Sequence, residues 1–134
     1  MMPVQVTYNN VGQGTIRMDI MAPITWYQYH DGINDVVALA RQDNSPKYFI
    51  MTANTDVPRD NPLFHLRHAM QTVKPVAQLQ GVYIVLPGTK LPFARSLTRL
   101  VFRLASVDRQ QYHVVDSYEA ALRDIQRKSM PNPL

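Results

Sequence analysis

The run Gly81-Val82-Tyr83-Ile84-Val85-Leu86-Pro87 constrains this chain more than any other stretch. It is short, apolar, rich in β-branched and aromatic residues, and closed by Gly and Pro. A run of that length and composition reads as a strand buried on both faces, the middle of a parallel sheet. Three shorter runs resemble it: Ile16 to Met21, Tyr48 to Met51 and Tyr112 to Val115. The chain advances roughly 30 residues from one to the next, enough for a strand, a crossover helix and its loops. The pattern predicts that Val82, Ile84 and Val85 are almost fully buried, with strands 48–51 and 112–115 on either side.

A chain of 134 residues fits one domain spanning 1–134 and can bury a core without covalent staples. Its hydrophobic fraction of 46% and charged fraction of 18% are those of a folded globular protein. With no cysteine, disulfides and thiolate metal sites are excluded. Met1 to Val6 lacks a basic segment followed by an apolar one, and no apolar run reaches the roughly 20 residues of a membrane span. A cytoplasmic protein without membrane insertion is the expectation. The excess of 14 basic over 10 acidic side chains is small and scattered, so no nucleic-acid partner is expected.

In chain order, Val4, Val6 and Tyr8 alternate with polar residues as a half-buried strand, and Asn9 to Gly14 turns it into a hairpin. In the second strand Ile16, Met18 and Ile20 face one way, Arg17 and Asp19 the other. Thr25 and Gln28 have capping-box spacing. Trp26, Tyr29, Ile33, Val36, Val37 and Ala40 continue as an amphipathic helix, weakened by about 1 kcal/mol at Gly32. Asn61-Pro62 starts a second helix with Leu63, Leu66, Met70 and Val73 inward. A third carries Phe93, Leu97, Leu100, Val101 and Leu104 inward and Arg95, Arg99 and Arg103 outward. Asp116 is read as the cap of the last helix, with Glu119 reaching back and Ala121, Leu122 and Ile125 following. Residues 129–134 form a frayed tail.

The sum is an α/β fold, a single-domain (βα)n superhelix of order ββαβαβαβα, with a mainly parallel sheet and an N-terminal antiparallel hairpin strand. Parallel strands in sequence order with right-handed crossovers place all helices on one face. The other face would then be bare and partly apolar, larger than a soluble monomer usually leaves open, which predicts a homodimer.

The element order from Ile16 to Arg127, and the segment Tyr112-His113-Val114-Val115-Asp116-Ser117-Tyr118-Glu119-Ala120-Ala121-Leu122 above all, resemble the STAS-like domains of anti-sigma-factor antagonists and sulfate-transporter cytoplasmic regions. The resemblance implies a small βα superhelix and a regulatory, protein-binding role, as in small stand-alone relatives. Phosphorylatable members carry Asp-Ser-Ser-Gly or a close variant at the start of the second helix. Here that place reads Arg59-Asp60-Asn61-Pro62-Leu63, so a phosphorylated-serine switch is expected to be absent.

Candidate chemistry is sparse. His65 and His68 stand three apart on a helix and could share a metal ion, with Asp60 or His30 as a third ligand. The plainer reading is a polar flank beside the apolar stripe, so no metal and no cofactor are expected. Arg95, Arg99 and Arg103 step along one face and could meet phosphates or an acidic partner, although such stripes usually cover core residues with their stems. Gly88-Thr89-Lys90 lacks the spacing of a phosphate loop. Ser117, His113 and Asp116 are close in sequence, but alternation turns His113 aside, and no catalytic residue is assigned. The loop Thr52 to Asp60 is the best site, at the carboxyl end of an inner strand. Its candidates are Asn54, Thr55, Asp56 and Arg59, with Lys90 nearby. The expected function is a non-catalytic interaction module with a protein partner; a small-ligand or anion sensor using the 52–60 loop is the alternative, and a small enzyme the second.

Overall fold

The computed structural model describes residues 3–9, 14–55, 58–86, 96, 98–100, 103 and 112–129. Its elements with described bounds are β1 (Val4–Asn9), β2 (Gly14–Ile20), α1 (Trp26–Ala40), β3 (Lys47–Ala53), α2 (Pro62–Val73), β4 (Leu79–Val85), β5 (Tyr112–Val115) and α3 (Tyr118–Ser129). The strands form one five-stranded sheet in sequence order, β1-β2-β3-β4-β5. β1 pairs antiparallel with β2, and every later pairing is parallel. This is the expected α/β architecture with its antiparallel N-terminal hairpin.

β4 is an inner strand between β3 and β5, as its composition requires. Tyr83 is opposite Ile50 of β3 and His113 of β5, and Val82, Ile84 and Val85 are all buried. Alternation divides the sheet into two faces. Ile16, Met18, Phe49, Met51, Val82, Ile84 and Tyr112 pack on one face against α1 and α2. Helix α1 begins as its sequence dictates: the Gln28 amide donates to Thr25 Oγ1 at 3.2 Å and the Thr25 amide to Gln28 Oε1 at 2.9 Å, a complete capping box. Gly32, which sequence reasoning treats only as a weak point, lets α1 lie close to the hairpin. A Cβ placed there would stand 2.7 Å from Met18 Cε and 3.1 Å from Val4 Cγ1.

The opposite face is where expectation and structure part. Ile50, Tyr83 and Val85 are covered by Ala121 and Ile125 of α3, with Tyr48, Val115, Tyr118 and Leu122 around them. The handedness rule governs a helix that connects two parallel strands. Among the described residues helix α3 follows the last strand and connects to no further one, and it lies across the second face. The face is therefore not bare, and the homodimer argued from it no longer follows. At its rim the Arg17 guanidinium sits 3.9 Å from the centre of the Tyr118 ring and 2.8 Å from Asp19 Oδ1, joining the polar side of β2 to the start of α3.

Three local readings also change. α3 begins at Tyr118, and its cap is Ser117, whose Oγ accepts from the Ala120 amide at 3.1 Å; the spacing assigned to Asp116 and Glu119 is shifted by one residue. Ser96, Thr98 to Leu100 and Arg103 are helical as expected. Leu100, expected inward, is 38% exposed, and Thr98 is buried. Phe93, Leu97, Val101 and Leu104 lie outside the described residues, as do Met130 to Leu134 of the expected tail. β3 starts at Lys47, whose buried ammonium folds back onto the preceding turn, 2.8 Å from Asp43 Oδ1 and 2.9 Å from the Ser45 carbonyl. Lys47 and Ser45 together hold the Asp43 carboxyl well below the usual carboxylate range.

Candidate functional site

The expected loop follows β3 at the carboxyl end of the sheet. Its first residue past the strand, Asn54, is exposed and donates its amide to the Ile20 carbonyl at 2.9 Å. Thr55 is half-buried and Arg59 is exposed. Asp56, Lys90 and Arg95 lie outside the described residues, and Arg99 and Arg103 are exposed on the helix after β4.

Beneath this loop the core holds two small voids. One, about 40 Å³, is bounded by Tyr29, Phe49, Leu66, Met70, Val82 and Thr98 among others. A second, about 20 Å³, reaches Thr55 and Pro58. The two share Tyr29, Met51, Leu66, Ile84 and Thr98, so they adjoin. Their walls are mainly apolar, which suits a hydrophobic occupant and not the anion that the loop sequence suggests. Arg99 and Arg103 border neither cavity.

The loop ends in an unusual helix start. Asn61 has φ 53° and ψ 48°, the left-handed region, and its side chain makes no capping bond; Pro62 opens α2. Asparagine tolerates this conformation better than most residues. The first turn of α2 then presents Phe64, 67% exposed, with Arg67 and His68 also exposed.

On the inner side of that turn the structure gathers three of the four histidines. His30 Nε2 of α1 lies 2.9 Å from His65 Nδ1 of α2, and the His68 ring is perpendicular to that of His30 at 5.1 Å between centres. Aromatic rings hold the imidazoles in place. Trp26 stacks on His65 at 4.8 Å, Tyr29 meets His30 edge-on at 5.7 Å, and Phe64 stacks on His68 at 6.4 Å. Burial first, and then the neighbouring His65 and His68, pull the His30 pKa below its ordinary value. Sequence spacing put His65 and His68 on one helix face; only the packing of α1 on α2 supplies His30. Asp60, the other suggested partner, is exposed ahead of the helix. Among the described residues no three or more His, Asp or Glu side chains have donor geometry already set for a metal ion.

A second polar cluster, not found from sequence, fastens α3. The Tyr83 hydroxyl donates to Asp124, which also pairs with Arg127 and lies 3.3 Å from Lys128 Nζ. Lys128 Nζ is in turn 2.9 Å from His113 Nε2, and the His113 ring stacks on Tyr83 at 4.8 Å. Burial acts to raise the Asp124 pKa, but the hydrogen bond from Tyr83, that from Arg127 and the Lys128 charge together hold it below the usual value. Burial and then Asp124 push the Tyr83 phenol up. The one available signal was Asp124 followed by Arg127 and Lys128 at helical spacing. His113 is thus occupied on the α3 face and Ser117 as a helix cap, so the arrangement considered for nucleophilic catalysis is not assembled.

Among the described residues no helix is long and apolar enough to cross a membrane. Compared with protein-family models, with curated proteins and with solved structures, the chain matches none.

Proposed function

We propose that the chain is a non-catalytic regulatory module of the STAS-like kind, working in the cytoplasm by docking a protein partner on the first turn of α2 and the loop before it. The observation that carries this reading is Phe64. It is a large aromatic side chain left 67% exposed, flanked by exposed Arg59, Arg67 and His68. An exposed aromatic with cationic neighbours is the composition of a binding hot spot. The place of the serine switch is taken by Asp60, Asn61 and Pro62, so docking on this surface would be controlled by something other than phosphorylation there. A photo-crosslinking residue at position 64, compared with one at exposed position 35 of α1, tests the proposal in cells. A discrete adduct from position 64 that Arg59→Glu abolishes is the expected result. Equal, diffuse labelling from both positions would overturn it.

A second reading rests on the adjoining apolar cavities. A small hydrophobic molecule that widened these voids on entering beside Thr55 and Pro58 would contact both the loop and the underside of α2 at Leu66. Native mass spectrometry should detect a bound apolar molecule that Ala69→Phe displaces, Ala69 being part of the cavity wall. A bare mass in both proteins would refute this reading.

A further inference from the structure

We propose that His30 and His65 form a binding site for a borderline divalent transition-metal ion, which His68 completes. The argument begins with the 2.9 Å separation of His30 Nε2 and His65 Nδ1. Imidazole nitrogens bind such ions at about 2.0–2.1 Å, so two at adjacent corners of one coordination sphere stand about 3 Å apart. The two nitrogens already have that spacing, and small shifts of the two rings turn both lone pairs toward an ion beside the line that joins them.

Preorganisation is the second strand of the argument. Both residues project from helices, not loops, and the helices are 35 residues apart in the chain at this contact. Trp26 stacked on His65 and Tyr29 edge-on to His30 fix the ring planes, so little rotamer freedom is lost on binding. His68 stands one helical turn after His65 and is exposed. Rotation of its side chain toward His30, from a ring-centre distance of 5.1 Å, supplies a third nitrogen, and water fills the remaining positions. Among the described residues no three-ligand group is preset, so the proposal rests on His30 and His65, and His68 has to move to join them.

The donor set selects the ion. Nitrogen ligands without thiolates or a carboxylate cage suit Cu²⁺, Ni²⁺ and Zn²⁺ and not Mg²⁺ or Ca²⁺, with Cu²⁺ tightest in the usual order. Only four histidines occur in the chain, and the fourth, His113, is on the α3 face beside Lys128. It is therefore an internal control.

The test is calorimetric titration of the full chain with Cu²⁺, Ni²⁺, Zn²⁺ and Mg²⁺, together with imidazole NMR during substoichiometric Cu²⁺ addition. The expected result is saturable one-to-one binding of the first three ions and none of Mg²⁺. His30 and His65 signals should broaden first while those of His113 persist. His30→Asn and His65→Asn each weaken binding by roughly tenfold or more, and His68→Asn by less. If a variant folds poorly, the broadening pattern of the unaltered chain decides alone. Broadening led by His113, binding unchanged in His30→Asn, or no saturable binding at all would overturn the proposal.

Discussion

The Tyr83 hydroxyl donates its hydrogen bond to the Asp124 carboxylate, and this bond ties an inner strand of the sheet to the helix that closes its second face. The Tyr83 side chain is fully buried, whereas Asp124 faces the outer cations Arg127 and Lys128. The bond thus links an interior anchor to a surface ion-pair network. Tyr83→Phe is expected to destabilise the fold by about 1.5–3 kcal/mol, the usual worth of a hydrogen bond to a charged group. Chemical denaturation measures it; a change below about 0.5 kcal/mol would show that Arg127 and Lys128 hold Asp124 unaided.

The same carboxylate sets an acid sensitivity. Its folded pKa lies below the ordinary value, so its contribution is fully present above the unfolded value of about 3.9 and is lost as pH falls through the folded one. The stability difference between the parent and Asp124→Asn should be constant above about pH 5 and shrink steadily below it. Unfolding curves at a series of pH values test this. A difference that grows toward acid would mean that the sign is wrong.

How much of this was legible in the sequence depends on the range of the interaction concerned. The β4 run, the Thr25–Gln28 box and the Pro62 start are local, and each appears where the residues place it. The position of α3 is not local. No sequence rule assigns a face to a helix after the last strand, and Tyr83 with Asp124 is a pairing across 41 positions. The histidine cluster lies between these cases: the spacing of His65 and His68 is visible in the chain, but His30 joins them only through helix packing. Lys47 gives no such signal in the sequence. A lysine before a strand reads as solvent-exposed, yet the Asp43 turn offers enough oxygen acceptors to bury its ammonium.

Asn61 is a point of backbone strain with a definite direction. Its positive φ precedes a proline, and a Cβ is unfavourable there. Asn61→Gly should be neutral or stabilising, whereas Asn61→Ala should cost about 1 kcal/mol, since no capping bond is lost in either. Thermal melts of the two variants separate this from a capping role, which would make both destabilising.

Thr52 Oγ1 is buried and makes no hydrogen bond, with Asp19 and Val85 as its neighbours in register on the adjoining strands. A buried hydroxyl without a partner costs about 1–3 kcal/mol relative to one that is paired. Replacing it with a methyl of similar shape should raise stability, so Thr52→Val is expected to melt higher than the parent. A lower melting temperature would mean that the hydroxyl has a water or ligand partner, and would direct attention back to the carboxyl end of β3.

The cover provided by α3 can be tested by removing its grip. Ala121 and Ile125 are buried against Ile50, Tyr83 and Val85, and a fully buried side chain of the size of isoleucine is worth about 1.5–3 kcal/mol by transfer alone. Ile125→Asp places a charge in that contact with no described cation opposite it in the apolar cluster, which adds a desolvation cost. The helix should detach before the sheet unfolds, because α1 and α2 hold the other face independently. The exposed strip of Ile50, Tyr83 and Val85 then becomes the open apolar surface that a sheet with all its helices on one face would carry. Ile125→Asp should therefore bind a hydrophobic dye and scatter light as a larger species, while the unaltered chain binds no dye. If the variant instead keeps the dye response and mass of the parent, α3 is not what closes the second face.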